Sequence, residues 1–315
     1  MKVSVVIPTY NRAAFLAETL DAVFGQTFPP AEVIVVDDGS TDNTDLVLQA
    51  YQDRLQIVTI PNSGDLVARN VGLSRATGDL VAFCDSDDVW DEKFLSSMIQ
   101  LWIAEPKAVT GYSDFRLLKD GVLSGRSKFD AAPAGFFQGL RHVNDKLGLF
   151  DMPVIDRLLA YQPFFPSCMV VNRAAFLSIG GWDQVLERGS DFATTLRCAS
   201  HPPLGVYLSP LVAIRKHGSN LSGDTERMNL RDAHVLDHFL VNYPHLGHLR
   251  ARLAESANRR RIDALHSAFS RRNFETVLAI DGMINGDRTL PCHVKVTISR
   301  LPRPIGKLLA SALSK

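Results

Sequence analysis

The first third of the chain alternates apolar runs with segments of helical spacing, and this alternation restricts the possible folds. The run VSVVIP (3–8) is almost continuously apolar, as is typical of a strand buried on both faces of a parallel sheet. The segment RAAFLAETLDAVFG (12–25) places its apolar residues at helical spacing and ends in glycine. Strand and helix signals continue to alternate through residue 113. The pattern predicts an α/β domain with a mostly parallel sheet flanked by helices.

The rest of the chain divides into three stretches. Residues 114–165 are rich in Gly, Pro and Phe, and we expect an irregular insert that lines the site. Residues 166–222 return to patterned sequence. Residues 223–315 are arginine-rich and helix-periodic, which predicts a helical C-terminal subdomain following a first domain of residues 1–222.

Composition excludes several classes of protein. Among 315 residues, Lys plus Arg equals Asp plus Glu at 34 each, so no net charge favours nucleic acid as a partner. The apolar run before Pro8 is too short for a signal peptide or a membrane span, and we expect a cytoplasmic protein. The four cysteines show no CxxC spacing and indicate reduced thiols rather than a disulfide frame or a zinc site: Cys84, Cys168, Cys198 and Cys292.

Aspartates follow two of the predicted strands, in VVDDGS (35–40) and FCDSDD (83–88). The carboxyl edge of an open α/β sheet is where such folds bind ligands. Crowded carboxylates are unfavourable unless a positive charge neutralises them, and Mg²⁺ prefers carboxylate oxygens while sharing its shell with substrate phosphates. The segment therefore predicts a metal and phosphate site. Capping of a helix predicted to begin at Asp91 is the alternative, but it accounts for only one or two of these acids.

Three familiar motifs fit the acids poorly. DDGSTDNTD lacks the glycine and the terminal glutamate of an EF-hand loop. The first strand runs into PTYNR, where a dinucleotide site needs GxGxxG. A phosphatase of the haloacid-dehalogenase type carries its DxD motif after the first strand, whereas CDSDD follows the fourth.

Six segments in order resemble the inverting glycosyltransferases of family 2, which have the GT-A fold. They cover about residues 2–222 and are VSVVIPTYNRAAFLAETLDAVFGQTF, EVIVVDDGSTDNT, GDLVARNVGLSRATGDLVAFCDSDDVW, VVNRAAFLSIGGWDQ, SDFATTLRCA and RKHGSN. The resemblance implies transfer of a sugar, with inversion, from a nucleotide-diphosphate sugar, expected to be UDP-linked, to an acceptor hydroxyl. It also implies Mg²⁺ or Mn²⁺ as cofactor and a place in cell-surface polysaccharide or glycolipid synthesis.

The resemblance assigns roles on the donor side. Tyr10 would stack on the base, Asp38 would accept a hydrogen bond from a uracil-like ring N–H, and Arg69 would contact the diphosphate. Ordinary structural roles stay open: a turn residue for Asp38 and a solvated helix residue for Arg69. The full implied set for the nucleotide is Pro8, Thr9, Tyr10, Asp38, Arg69, Asp85 and Ser86.

The implied metal set is Asp87, Asp88 and His217, with the histidine in a loop that folds over the diphosphate. A neutral imidazole can ligate a metal, although a loop histidine can equally be a solvated residue. Arg215 and Lys216 precede His217 and can balance phosphate charge.

On the acceptor side, the resemblance implies that Asp191 is the base that deprotonates the acceptor hydroxyl. The family usually has Glu-Asp at this point, whereas this chain has Ser190-Asp191. Capping of a helix that begins at Phe192 is a compatible alternative role. Trp182 and Asp183 would lie near a saccharide or lipid-linked acceptor, and a core position is the alternative for Trp182.

Two other functions stay open at this point. A non-catalytic module that binds nucleotide-sugars would explain the altered residue at Ser190. A sugar-phosphate nucleotidyltransferase would have a similar sheet, but the GxGxR signal expected near its first strand is absent.

The end of the chain, ISRLPRPIGKLLASALSK (298–315), contains basic and apolar residues and no acid. An amphipathic basic helix can lie on an anionic membrane, which predicts a peripheral membrane contact through this tail. Packing on the catalytic domain or on a second subunit is the alternative. The apolar residues predicted to share one helical face are Ile305, Leu308, Leu309 and Leu313.

Overall fold

The protein divides into two compact units, Met1–His217 and Gly218–Lys315. The domain boundary predicted after residue 222 lies outside the described part of the chain. The computed structural model describes residues 1–183, 191–218, 225–286 and 288–313.

The first unit is a sheet with helices between its strands. Its strands are β1 Val3–Thr9, β2 Glu32–Asp37, β3 Gln56–Thr59, β4 Leu80–Phe83, β5 Val89–Trp90, β6 Thr110–Lys119, β7 Val122–Leu123, β8 Arg141–His142, β9 Leu147–Phe150, β10 Met169–Asn172 and β11 Leu204–Lys216. Its helices are α1 Leu16–Phe24, α2 Thr44–Ala50, α3 Asp65–Arg75, α4 Phe94–Met98, α5 Gln100–Ala104, α6 Ile155–Ala160, α7 Arg173–Ser178 and α8 Asp191–Ala199.

Within the described residues, all eleven strands join one mixed sheet in the order β3-β2-β1-β4-β10-β6-β11-β9-β8, with β5 paired to β11 and β7 to β6. The four strands β3, β2, β1 and β4 are parallel, as the sequence predicts. Strand β10 runs antiparallel to both β4 and β6, and β11 is parallel to β6. Strands β6 and β11 therefore point the same way as β4, and the carboxyl end of β11 reaches the edge where β1, β2 and β4 end.

The stretch predicted to be an irregular insert is partly regular. Strand β6 continues to Lys119, and β9 pairs with β11 in the main sheet. One cluster of aromatic rings holds this stretch together: Phe129 contacts both Phe137 and Phe164, and Phe164 stacks on Tyr112 with centroids 4.5 Å apart. The composition misled the prediction because Gly and Pro occupy the turns between short strands.

The second unit is helical, as predicted, and has its own apolar core. Its helices are α9 Thr225–Asn242, α10 Arg250–Ser270, α11 Phe274–Met283, α12 Leu290–Ser299 and α13 Arg303–Leu313. Leu265, Phe269, Val277, Ile280 and Val296 are buried together in this core. No helix in the described ranges of either unit combines the length and the apolarity needed to cross a bilayer.

Helix α3 packs very closely on β1, because a glycine faces the strand. A Cβ added at Gly72 would lie 2.3 Å from Cγ1 of Val6, which is fully buried. Valine is stiff at χ1, so its methyl groups cannot move aside easily. Gly72 therefore sets the distance of α3 from the sheet, and α3 carries two of the site residues, Arg69 and Asn70.

We expect Gly72→Ala to destabilise the protein by about 1–3 kcal/mol through overpacking, even though alanine gains about 1 kcal/mol of helix propensity. Urea unfolding measures the free energy. Gly125→Ala is the matched control, since a Cβ at Gly125 meets nothing within 4 Å. Equal stabilities of the two variants would contradict this account of the α3–β1 contact.

Candidate functional site

The acidic turn after β4 is anchored by Asp88. One carboxylate oxygen of Asp88 accepts a hydrogen bond from Ser167 Oγ at 2.5 Å, and the other accepts from the backbone N of Arg215 at 2.9 Å. Asp88 is 3% exposed, and burial raises the pKa of its carboxyl well above the ordinary value, with further contributions from the charges of Asp85 and Asp87. Asp88 thus ties the turn to Ser167 and to strand β11, and its role as a metal ligand stays a prediction.

Helix capping does not explain these acids. Helix α4 begins at Phe94 rather than at Asp91. Within residues 85–94, all of which are described, only the carboxylate of Asp91 bonds to the start of the helix, and it accepts from Lys93 N at 2.9 Å. Asp85 and Asp87 face other partners.

Asp87 and His217 come together although they are far apart in sequence. Nε2 of His217 lies 2.9 Å from Oδ2 of Asp87, and Nε of Arg12 donates to the same oxygen at 3.1 Å. The imidazole stacks on Phe15 with centroids 4.7 Å apart. Arg215 donates from Nε to the backbone oxygen of Asp87 at 2.9 Å. Strand β11 delivers His217 and Arg215 because it ends at the same edge as β4.

A buried guanidinium, that of Arg69, lies at the centre of the site. Its Nη2 donates to Asp85 at 2.6 Å, and its Nη1 donates to Asp65 at 2.7 Å and to Asp191 at 3.1 Å. Arg69 is 2% exposed; burial alone would lower its pKa, but the charges of Asp85, Asp191 and Asp65 outweigh burial and raise it. Arg69 therefore bridges three carboxylates in this structure, and its contact with a diphosphate stays a prediction.

Helix α3 also holds the segment that precedes α8. The side-chain amide of Asn70 donates to the backbone O of Trp182 and accepts from its N, both at 2.9 Å. Gly181 has φ +63° and lies so close to Asn70 that a Cβ would meet its Oδ1 at 2.9 Å. The GGW sequence is therefore fitted to the side chain of Asn70.

Trp182 and Asp183 are buried in this structure, and their contact with an acceptor stays a prediction. Trp182 is 2% exposed and packs edge-on against Phe83, while the guanidinium of Arg69 lies 4.8 Å from its ring centroid. Asp183 is buried and pairs with Arg197 at 3.2 Å. Trp182 therefore packs against the site through Arg69, and Asp183 is held by Arg197.

Asp191 occupies the first turn of α8 and is 40% exposed in its side chain. An acid at a helix N-terminus is favoured by the helix dipole, so the capping role and a chemical role are compatible. Its carboxylate is partly open to solvent and held on one side by Arg69. Its neighbour Ser190 lies outside the described residues.

The carboxyl ends of β1 and β2 form the remaining wall. Pro8 and Thr9 are buried in β1, whereas Tyr10 is 42% exposed just beyond it. Asp38 is buried and accepts backbone N–H groups of Ser63 and Gly64 at 2.7 and 2.8 Å. Asp38 thus fixes the loop that leads into α3. Ser86 is buried within the acidic turn.

Two contributing residues escaped the sequence analysis. Arg12 lies in the quoted PTYNR segment, but nothing in its spacing pairs it with Asp87. Ser167 lies at the start of the patterned stretch 166–222 and donates to Asp88 while accepting from Asp85 N at 2.9 Å. Only the long-range pairing of strands could have revealed either contact.

The fold is shared with glycosyltransferases. The sequence profile of Glycosyl transferase family 2 matches residues 4–151. The Bacillus subtilis (strain 168) protein named "Putative teichuronic acid biosynthesis glycosyltransferase TuaG" is 42% identical over 193 residues, which is 59% of this chain and 73% of TuaG. The chain belongs to glycosyltransferase family 2.

Other relatives are similar over shorter or more distant matches. WfaP of Escherichia coli is named UDP-Glc:alpha-D-GlcNAc-diphosphoundecaprenol beta-1,3-glucosyltransferase. It is 35% identical over 126 residues, which cover 39% of this chain and 49% of WfaP. The crystal structure of S. aureus TarS 1–349 with UDP-GlcNAc aligns with a TM-score of 0.65 at 19% identity, covering 99% of this chain and 92% of that one. The mannosyltransferase PcManGT from Pyrobaculum calidifontis, with GDP-Man and Mn²⁺, aligns at 0.54 and 19% identity, covering 99% and 86%. These structures share the predicted GT-A-like fold.

We expect Arg69→Met to destabilise the first unit by about 1–3 kcal/mol, because three carboxylates lose a common partner while remaining partly solvated. Urea unfolding measures the loss. Arg75→Met on the exposed face of the same helix should change the free energy of unfolding by less than about 0.5 kcal/mol. A loss for Arg69→Met no larger than that of the control would mean that the ion pairs contribute nothing to folding.

Proposed function

We propose that this glycosyltransferase moves a sugar from a nucleoside-diphosphate sugar, UDP-linked, to an acceptor hydroxyl with inversion. The observation that carries the proposal is the double contact of Arg69. One guanidinium bonds both Asp85 of the acidic turn and Asp191 of α8. Asp191, the expected base, and Asp85, expected to face the donor, are thereby held on the same guanidinium.

Support for a UDP-linked donor comes from the relatives and from the edge of the sheet. The TarS structure contains UDP-GlcNAc and the name of WfaP specifies UDP-Glc. In this chain, the exposed ring of Tyr10 follows β1 and can stack on a base. The hydroxyl of Thr9 beside it is buried and has no hydrogen-bond partner among the described atoms. A ligand at this edge would supply one.

The side chains at Asp87 and His217 fit a divalent cation, Mg²⁺ or Mn²⁺. They are a carboxylate and an imidazole 2.9 Å apart, beside further buried acids whose repulsion a cation would relieve. No group of three or more potential ligands occurs in the parts of the chain that are described, so the substrate's diphosphate and water would complete the shell. PcManGT was solved with Mn²⁺. The cation would stabilise charge on the departing nucleoside diphosphate.

The transfer itself is a single displacement. The acceptor oxygen attacks the anomeric carbon as the bond to the diphosphate breaks, and attack from the opposite face inverts the configuration. Asp191 accepts the proton of the acceptor hydroxyl. Arg69 orients the carboxylate through Oδ1, while Asn70 holds the backbone of Trp182. Arg12 and Arg215 lie beside Asp87, where they can balance the charge of a diphosphate.

We place the reaction in cell-surface polysaccharide or glycolipid synthesis, with a saccharide or lipid-linked acceptor. TuaG is named for teichuronic acid biosynthesis, and WfaP is named for an acceptor on diphosphoundecaprenol. We further propose a cytoplasmic protein that contacts the membrane peripherally and does not use nucleic acid as a partner. The equal numbers of basic and acidic residues support the last point.

The first experiment is a screen of nucleotide-sugars with Mn²⁺ or Mg²⁺, reading release of the nucleoside diphosphate in the presence of lipid-linked and free saccharides. Release from one UDP-sugar above all others is the expected result. Tight donor binding without release under every condition would instead indicate the non-catalytic binding module.

We expect Asp191→Asn to lower turnover of the selected donor by about 10²- to 10⁴-fold, because the amide cannot take a proton. Donor affinity should hardly change, since the base faces the acceptor. Asp65→Asn is the matched control: it alters another partner of the same guanidinium and removes no base. If both variants turn over equally fast, Asp191 is only the first residue of a helix.

We expect Asp87→Ala to abolish the divalent-dependent part of donor binding while the fold stays intact. Calorimetric titration of UDP-sugar in Mn²⁺ and in chelator gives that part directly. Asp91→Ala is the control, because the Asp91 carboxylate belongs to the same segment but accepts from the backbone N of Lys93 at the start of α4. Unchanged affinity of Asp87→Ala in Mn²⁺ would remove Asp87 from the metal site.

A further inference from the structure

Helix α13 presents its apolar side chains outward. It packs on its own unit through two small residues: Ala310 is 2% exposed, and Gly306 lies so close to Phe274 that a Cβ would meet Cε2 at 3.1 Å. The large apolar residues predicted to share one face are exposed instead: Ile305 50%, Leu308 72%, Leu309 40% and Leu313 56%. This is the reverse of a helix that uses its apolar face to complete a core.

The preceding helix adds to the exposed apolar surface. Helix α12 contacts α13 and exposes Leu290 at 77% and Val294 at 39%. Several exposed apolar side chains on one pair of adjacent helices mark an interaction surface rather than the scattered single residues that are normal on soluble proteins.

The charge of this segment is one-sided. Residues 288–313 contain five basic residues and no acid. Part of that charge is balanced from α11: Asp281 pairs with Arg288 and Arg300, and Glu275 pairs with Arg303 through two highly exposed side chains. Such exposed pairs contribute little, and they open readily toward another anion.

Two further cations lie close to the outward face. Lys307 is exposed on α13 itself. Arg272 donates to Ser311 Oγ at 2.8 Å, which brings a second guanidinium to the flank of the helix. The outward face therefore combines apolar side chains with positive charge at its border, the composition of helices that lie in a membrane interface.

We propose that the outward face of α13 lies on an anionic lipid bilayer. A second copy of the chain fits less well for two reasons. A helix of eleven residues is about 16 Å long. It supplies far fewer than the roughly 20–30 residues that each partner contributes to a standard interface. Two copies meeting through this face would also bring like charges together.

The proposal does not rest on the reaction. Binding to vesicles requires neither donor nor acceptor, so its failure would leave the assignment of the catalytic unit untouched. Conversely, an inactive protein that still binds vesicles would leave the surface intact.

The test is sedimentation of the full-length protein with vesicles of phosphatidylglycerol mixed with phosphatidylcholine, at low salt. We expect binding to these vesicles, little binding to pure phosphatidylcholine, and loss of binding as salt rises. Leu308→Glu should weaken binding by about tenfold or more, because it places a negative charge in the apolar face. Val241→Glu is the matched control: Val241 is 78% exposed near the end of another helix of the same unit.

Leu308→Ser provides a milder second variant, and circular dichroism checks that each variant keeps its helices. Wild-type protein that fails to bind anionic vesicles at low salt would overturn the proposal, as would binding of Leu308→Glu at the level of Val241→Glu. Light scattering adds the other outcome. A wild-type dimer that Leu308→Glu converts to a monomer, with no vesicle binding, would make this face a contact between copies and would also overturn the lipid assignment.

Discussion

The rest of the site depends on the ion pairs that the guanidinium of Arg69 makes with three carboxylates. Burying a positive charge is costly unless carboxylates and hydrogen bonds compensate it, and here Asp65, Asp85 and Asp191 do so together. The three carboxylates come from three different elements: the start of α3, the turn after β4 and the start of α8. The charge of Arg69 is therefore costly to bury, and its ion pairs also fix these elements relative to one another.

A second set of contacts holds the acidic turn in place from the other side. Asp88 bonds Ser167 and the backbone of Arg215, so the turn is attached to the last strand of the sheet. Because β11 runs in the same direction as β4, that attachment also brings His217 to Asp87. Among these mutually repelling acids, Asp88 has a structural role, whereas we propose that Asp85 and Asp87 face the donor.

The sequence predicts the part of this arrangement that local pattern controls. The parallel strands β1 to β4, the acidic turn at their carboxyl edge and the helical C-terminal unit are all readable from periodicity and composition. Partners that depend on the strand order are not readable. The pairing of the reversed strand β10 with β4, the contact of Arg12 with Asp87 and the contact of Arg69 with Asp191 all join residues more than fifty positions apart. The burial of Asp183 depends on a distant partner as well, since its carboxylate pairs with Arg197.

The central claim is that Arg69 acts on the reaction by positioning Asp191. A double-mutant cycle on turnover at saturating donor tests it, using Arg69→Lys, Asp191→Asn and the combined variant. If Arg69 works through Asp191, the combined variant should be no slower than Asp191→Asn alone, because the lysine has no base left to misplace. Losses that multiply in the combined variant would contradict the account, since they would mean that the two side chains act on the reaction independently.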